Sequence, residues 1–265
     1  KFGFPKLGIA GAAYATVISR YVELGFVIFA SRKNPVFKGM YDYLAVRLDL
    51  VEAVMMRGAP LLVNEIAWSM AMVLINQWYS SRGIYVVAAV NMSATITSLF
   101  MIICYAMGNS ISIIVGQELG KGNLKKAYDT DLKMIDFNFC LCIGTAILLI
   151  LSLNPIVSVY KTDESVKQLA KTFLTISALW MPFQSLYFSS YFTMRAGGKT
   201  LLTFLFDSGY SMTITLAAAT FLAKFTRLNI ILVYALVQLA DIPKLVLGLY
   251  LVSKGIWINN LVENR

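Results

Sequence analysis

Long apolar runs separated by short polar breaks fill almost the whole chain. A bilayer-spanning helix needs roughly 20 mostly apolar residues. Stretches of that kind lie at about 8–30, 59–80, 84–115, 134–153, 170–194, 201–223 and 229–252. They predict about seven spanning helices. Barrel strands are excluded, because those show short alternation of period two and these runs are continuous. The breaks carry turn chemistry. Pro35 stops simple continuation of the first helix. Ser81, Arg82 and Gly83 form a tight turn that predicts antiparallel neighbours in the second and third helices, and Asn154-Pro155 ends the fourth. The longest break, 36–58, is patterned itself. Leu44, Leu48, Val51 and Met55 recur at helical spacing with Arg47, Asp49 and Glu52 between them. That pattern predicts an amphipathic helix along the membrane surface; the plainer alternative is an extension of the next span.

Composition agrees. The chain is 58% hydrophobic and only 14% charged, against about 25% charged in ordinary globular domains. The net charge of +9 sits in patches between the apolar runs, as loops at a membrane surface require, which argues against nucleic acid as a partner. Connections after the first, third, fifth and seventh helices hold 13 Lys and Arg, and the opposite connections hold 8. That bias predicts the first set to be cytoplasmic. Cys104, Cys140 and Cys142 lie inside apolar runs and read as buried, inert thiols. The chain has no histidine, and Cys140 and Cys142 point to different faces of a helix, so no metal site is expected. Two glycine-rich turns, GQELGKGN (116–123) and RAGGKT (195–200), lack the spacing of a phosphate-binding loop. Without a nucleophile–base constellation no catalytic residue, and no enzyme, is expected. The chain begins at Lys1 with residues that read like the end of a loop, as a piece of a longer protein would.

One position in these runs stands out. Glu65 falls within APLLVNEIAWSMAMVLINQWY (59–79). An ionisable side chain at the bilayer centre costs roughly 2.5–3.5 kcal/mol on insertion scales, so it points by default to ion or substrate handling. On the same helix Glu65, Trp68, Met72, Asn76 and Tyr79 share a face, flanked by Asn64. Asn91, Thr95 and Ser98 share a face on the third helix, and Gln184, Tyr187, Tyr191 and Arg195 on the fifth. Membrane helices hide such stripes in the bundle or along a watery cavity; for Thr95 and Ser98 interhelical hydrogen bonding is the better reading. Burial favours the neutral form of a carboxylic acid, so an acid placed there can trade a proton for an organic cation or a sodium ion. Trp68 and Tyr79 can add cation–π attraction. Other charges compete for attention. Asp207 lies near the start of the sixth helix, within reach of the interface, and its role is open. Asp241 with Lys244, and Arg20 with Glu23, are i, i+3 pairs that read as mutual neutralisation.

Five segments in order, GIAGAAYATVISR (8–20), APLLVNEIAWS (59–69), VVAAVNMSATI (86–96), GNSISIIVGQELGKGNLKKA (108–127) and TMRAGGKT (193–200), together resemble the multidrug and toxic compound extrusion (MATE) transporters. The likeness covers essentially the whole chain and is closest to the prokaryotic branch grouped with DNA-damage-inducible proteins. It implies an all-α polytopic bundle that is one lobe of a two-lobed transporter. Residues 1–34 would be the last helix of the N-terminal lobe, 35–58 the cytoplasmic connector, and 59–265 the C-terminal six-helix lobe. It implies export of organic cations in exchange for protons or sodium by alternating access, without a cofactor. The partners implied are a small cationic substrate, the lipid bilayer and a missing N-terminal lobe, in a bacterial inner membrane. Glu65 resembles the family's acid on its seventh helix. Asn91 stands where many members carry glutamine, and Gln184 where several carry aspartate, which weakens the case for a cation held by two carboxylates. Asn64, Trp68, Asn76, Tyr79, Asn91, Gln184 and Tyr187 are the expected cleft residues. A lipid-linked oligosaccharide flippase of the same superfamily and a seven-helix receptor are the alternatives.

Overall fold

Residues 8–33 and 48–258 are described in the computed structural model of this chain. They are helical almost throughout, and no strand occurs among them. The rods are α1 (Gly8–Lys33), α2 (Leu48–Ser80), α3 (Ile84–Gly120), α4 (Leu124–Ser158), α5 (Glu164–Ala196), α6 (Thr200–Phe225) and α7 (Ile230–Ser253). Six of the seven are long and apolar enough to cross a membrane, and α5 is the exception. At 37 residues and 1.5 Å per residue, α3 is about 55 Å long, well beyond the roughly 30 Å of a hydrocarbon core. Residues 116–120, expected in a loop, complete α3, and the turn to α4 is only Lys121–Asn123. Residues 48–58 extend α2 and do not form a separate interfacial helix, while Leu44 and Arg47 of that predicted helix lie outside the described residues.

The chain divides into two compact units, with the boundary between Met55 and Met56. In the first, α1 exposes Tyr14, Ile18, Tyr21 and Phe26, and the expected Arg20–Glu23 pair forms at 2.8 Å.

In the second unit α5 is the axis: it packs on α3, α4, α6 and α7. This explains why the most polar rod is the most enclosed. Ser185, Ser189, Ser190, Tyr191 and Thr193 are all buried along it, whereas Leu99, Ile102, Phe137, Leu148, Leu151 and Val246 on the outer rods are exposed. Lipid tails are as apolar as leucine, so helices in a bilayer associate through close packing and buried hydrogen bonds, not through the hydrophobic effect. Small residues set the approach. A Cβ on Gly248 of α7 would lie 2.9 Å from Phe206 Cζ and 3.0 Å from Ser190 Cβ, so only glycine lets α7 sit this close to α5 and α6. Gly108 of α3 likewise leaves room for the Phe192 ring.

Two rods are irregular. Within α6, Leu205–Gly209 and Ser211–Thr215 are π-helical, and α7 breaks between Leu239 and Ile242. Such wide turns often mark functional positions. The end of α6 is held from across the lobe: Arg82, in the turn after α2, donates to the carbonyls of Leu222, Ala223 and Thr226 at 3.2, 2.7 and 2.7 Å. These are the carbonyls that a helix C-terminus leaves without a partner.

The cysteines depart from expectation. Cys104 and Cys142 meet between α3 and α4 as a disulfide, with Cα atoms 6.3 Å apart, and Cys140 is exposed.

Candidate functional site

The irregular stretch of α6 places Asp207 and Ser208 inside the lobe, facing α2 and α7. Lys244 Nζ lies 2.8 Å from Asp207 Oδ1, with the two side chains 3% and 12% exposed. The ammonium also stands over the Tyr187 ring at 4.9 Å and the Phe206 ring at 5.6 Å, within cation–π range. The other carboxylate oxygen of Asp207 accepts from Asn64 Nδ2 at 3.3 Å. Asn64 is the hub. Its Nδ2 also reaches the Tyr191 hydroxyl at 3.3 Å, and Ser208 Oγ lies 2.7 Å from its Oδ1 and 2.6 Å from its backbone carbonyl. Tyr191 in turn donates to Glu65 Oε1 at 3.2 Å. A continuous chain of contacts therefore runs Lys244–Asp207–Asn64–Tyr191–Glu65, from a buried ion pair to an exposed carboxylate.

This corrects one expectation. Lys244 makes its ion-pair contact with Asp207 and not with Asp241 three residues back. The break in α7 ahead of Lys244 leaves Asp241 beside α6, where it accepts from Thr215 Oγ1 at 2.7 Å. Asp207, whose role the sequence left open, is buried and is the partner of Lys244.

The polar stripe on α2 is rotated from where its spacing put it. The buried positions are Asn64, Ala71, Ile75 and Tyr79, with Trp68 and Met72 half-buried, while Glu65 and Asn76 are exposed. At about 100° per residue the buried face lies roughly 70° from the centre of the stripe. Trp68 and Tyr79 belong to both, so the two faces could not be told apart from spacing alone. Tyr79 packs against Tyr234 at 5.5 Å. On α3, Asn91, Thr95 and Ser98 are exposed. Thr95 donates to the Asn91 carbonyl of its own helix, so the bonding is within α3 and not between helices. Asn91 and Thr95 line a groove of about 300 Å³ with Tyr160 and Thr162. On α5, Tyr187 and Tyr191 are buried as the stripe required, and Gln184 and Arg195 are half-buried. Among the described residues no cluster of three or more His, Cys, Asp or Glu is placed to hold a metal ion.

A second polar seam joins α4 to α5. Thr193 Oγ1 donates to Asp131 Oδ1 at 2.6 Å, and Asn138 Nδ2 donates to Ser189 Oγ at 2.9 Å. Asp131 is fully buried and its Oδ2 has no partner. The sequence reading placed Lys244 inside an apolar run but paired it with the wrong acid, and it missed Asp131 as an interior charge, because Asp131 lies in the polar start of α4, where a solvated position is the ordinary expectation.

A lobe of this kind, inside-out in polarity and with one face carrying an acid, is matched by a family model: MatE, over residues 60–214. The chain belongs to the MatE family. Among curated relatives of this MatE chain, the probable multidrug resistance protein YoeA of Bacillus subtilis is 27% identical over 236 residues, covering 87% of this chain and 50% of its own length. The probable multidrug resistance protein NorM of Thermotoga maritima is 21% identical over 231 residues, covering 87% and 50%. Among solved structures, a MATE protein crystallised in complex with MaL6 matches with a TM-score of 0.77 at 18% identity, covering 94% of this chain and 57% of that one. A MOP superfamily transporter from Pyrococcus furiosus, described as having a binding pocket of reverse polarity that suggests a different function, matches with a TM-score of 0.70 at 11% identity, covering 80% and 47%. The chain thus spans about half the length of the curated relatives it matches. As a member of this family, with six described helices long and apolar enough to span a bilayer, it is a multi-pass membrane protein, and its bacterial relatives suggest the inner membrane.

Proposed function

We propose that the protein is a secondary active antiporter that exports organic cations in exchange for protons or sodium by alternating access, and that Glu65 is the exchanging acid of this half. The observation that supports this most directly is the contrast between two carboxylates on one hydrogen-bonded chain. Asp207 is buried and already neutralised by Lys244. Glu65 is exposed and, among the described residues, accepts a hydrogen bond from Tyr191 without facing a cation, so its carboxylate stays open to a ligand. Asn64, Trp68, Asn76, Tyr79, Asn91, Gln184 and Tyr187 are the proposed cleft residues, with Asn64 and Tyr187 acting from beneath the surface. In this reading residues 1–34 close an N-terminal lobe, 35–58 connect the lobes and 59–265 form the C-terminal lobe. No cofactor and no catalysis are required.

The test is dye efflux by the full-length protein in vesicles, wild type against Glu65→Gln, with proton and sodium gradients imposed separately. Gradient-driven efflux that is lost in Glu65→Gln supports the reading. Efflux at the wild-type rate in the variant sinks the role of Glu65, and absence of efflux from the wild type sinks the exporter. A flippase for lipid-linked pyrophosphates would need unpaired positive charge facing the cleft, and Lys244 is spoken for by Asp207.

A further inference from the structure

Asp131 is a buried acid that the cleft does not use. It sits on α4 with no exposed surface. Ala127 and Ile135, one turn away on either side, pack in one cluster with Ile111 and Val115 of α3 and Met194 of α5. Asp131 Oδ1 lies 2.6 Å from Thr193 Oγ1 of α5, and its Oδ2 has no hydrogen-bond partner. Two turns further along α4, Asn138 donates to Ser189 at 2.9 Å. The acid is therefore one end of a polar seam sealed between two helices.

No cation answers it. Among the described residues no ion pair includes Asp131. On its own helix Lys125, Lys126, Asp129, Lys133 and Asp136 are exposed. The helices packed against α4 are α3 and α5. On α3, Glu118 is engaged by Lys121 and Lys126. On α5, Arg195 is half-buried and stands about 200° round the helix from Thr193. A carboxylate at this place would be a buried anion with one neutral donor, which is among the costliest ways to hold a charge.

Counting protons leads the same way. The Thr193 hydroxyl has one proton to give and two oxygens in reach, Asp131 Oδ1 at 2.6 Å and the Ser189 carbonyl at 3.0 Å. Against a carboxylate, that proton goes to Asp131 and the contact with Ser189 carries none. Against the neutral acid, the proton between Asp131 and Thr193 is the acid's own. The Thr193 proton then goes to Ser189, and both contacts are hydrogen bonds. The unpartnered Oδ2 becomes the carbonyl oxygen of a neutral group, and an unpaired neutral acceptor costs less than an unpaired charged one.

We infer that Asp131 is a proton-binding site of this lobe, separate from Glu65: it holds its proton against Thr193 while α4 and α5 are packed, and water reaches that proton when the seam opens. In the antiporter reading this gives the half a second place to carry a proton, away from the cleft. That consequence rests on the antiporter reading; the site itself does not.

The experiment is infrared spectroscopy of the full-length protein in detergent at neutral pH, isotope-labelled at the aspartate carboxyl carbon. The wild type should show the C=O stretch of a protonated aspartic acid, and Asp131→Asn should lack it. Thr193→Val removes the acceptor and should move the band to higher frequency, and Thr193→Ser should restore it. In heavy water the band should keep its position after the exposed backbone amides have exchanged. A wild type without a protonated-aspartate band overturns the proposal. So does a band that neither Asp131→Asn nor Thr193→Val alters, and so does one that shifts in heavy water together with the exposed amides. If Asp131→Asn does not fold, the Thr193 variants decide, because a band that moves with valine and returns with serine belongs to the acid bonded to Thr193. No gradient and no substrate enters these measurements, so a failed efflux assay leaves them unchanged and the two readings fail separately.

Discussion

Asp207→Asn should destabilise the lobe far more than Asp241→Asn, although Asp241 is the acid nearer to Lys244 in sequence. The substitution keeps the shape and the hydrogen bond from Asn64 but removes the charge opposite a lysine that is 3% exposed. Breaking a buried ion pair from one side costs about 3–5 kcal/mol, because the remaining charge is left uncompensated. Asp241→Asn keeps an oxygen that Thr215 can still donate to. It converts a charge-assisted bond to a neutral one, at a cost of about 1 kcal/mol. For a domain of this size 1 kcal/mol moves the thermal midpoint by about 2–4 °C. The expected drops are therefore about 6–20 °C for Asp207→Asn and about 2–4 °C for Asp241→Asn. Thermal unfolding in detergent, followed by tryptophan fluorescence, measures both. Adding Lys244→Met to Asp207→Asn should recover most of the loss, since neutral replacement of a whole buried pair is often tolerated. A larger drop for Asp241→Asn, or a double variant as unstable as the sum of its parts, would refute the assignment of Lys244 to Asp207.

Other expectations can be checked on the same preparations. Gly248→Leu should lower the thermal midpoint, because the added side chain meets Phe206 and Ser190; the cost of such overpacking is about 1–3 kcal/mol, and an unchanged midpoint would show that α7 can move away freely. Arg82→Met should cost about 1–3 kcal/mol by leaving the carbonyls at the end of α6 without a donor, with Arg82→Lys recovering part of it. Asp131→Asn should cost about 1–3 kcal/mol, since Thr193 keeps its acceptor but the amide puts N–H donors where Oδ2 has no partner; an unchanged midpoint would show that those donors find an acceptor. Gln184→Ala should shift preference among cationic substrates in the efflux assay, since Gln184 is a half-buried polar side chain on the polar stripe of α5, and a uniform loss across substrates would point to folding instead.

Long apolar runs alone determined the membrane setting and the places of most helices. The reason is thermodynamic: a bilayer admits only segments that satisfy their own backbone and present apolar surface, so spans are written as local runs. Motif order carried the family. Local pattern could not decide partnership. An i, i+3 spacing tied Lys244 to Asp241, but a break in α7 and π-helical turns in α6 are tertiary adjustments, and they delivered the lysine to Asp207 instead. Nor could spacing orient α2, because Trp68 and Tyr79 lie on the border shared by its polar stripe and its buried face; packing against α5 and α6 chose Asn64 for the interior and left Glu65 at the surface. Which residues cross a membrane is a property of each segment against one solvent. Which charges meet is a property of several segments against one another, and only the packed lobe contains it.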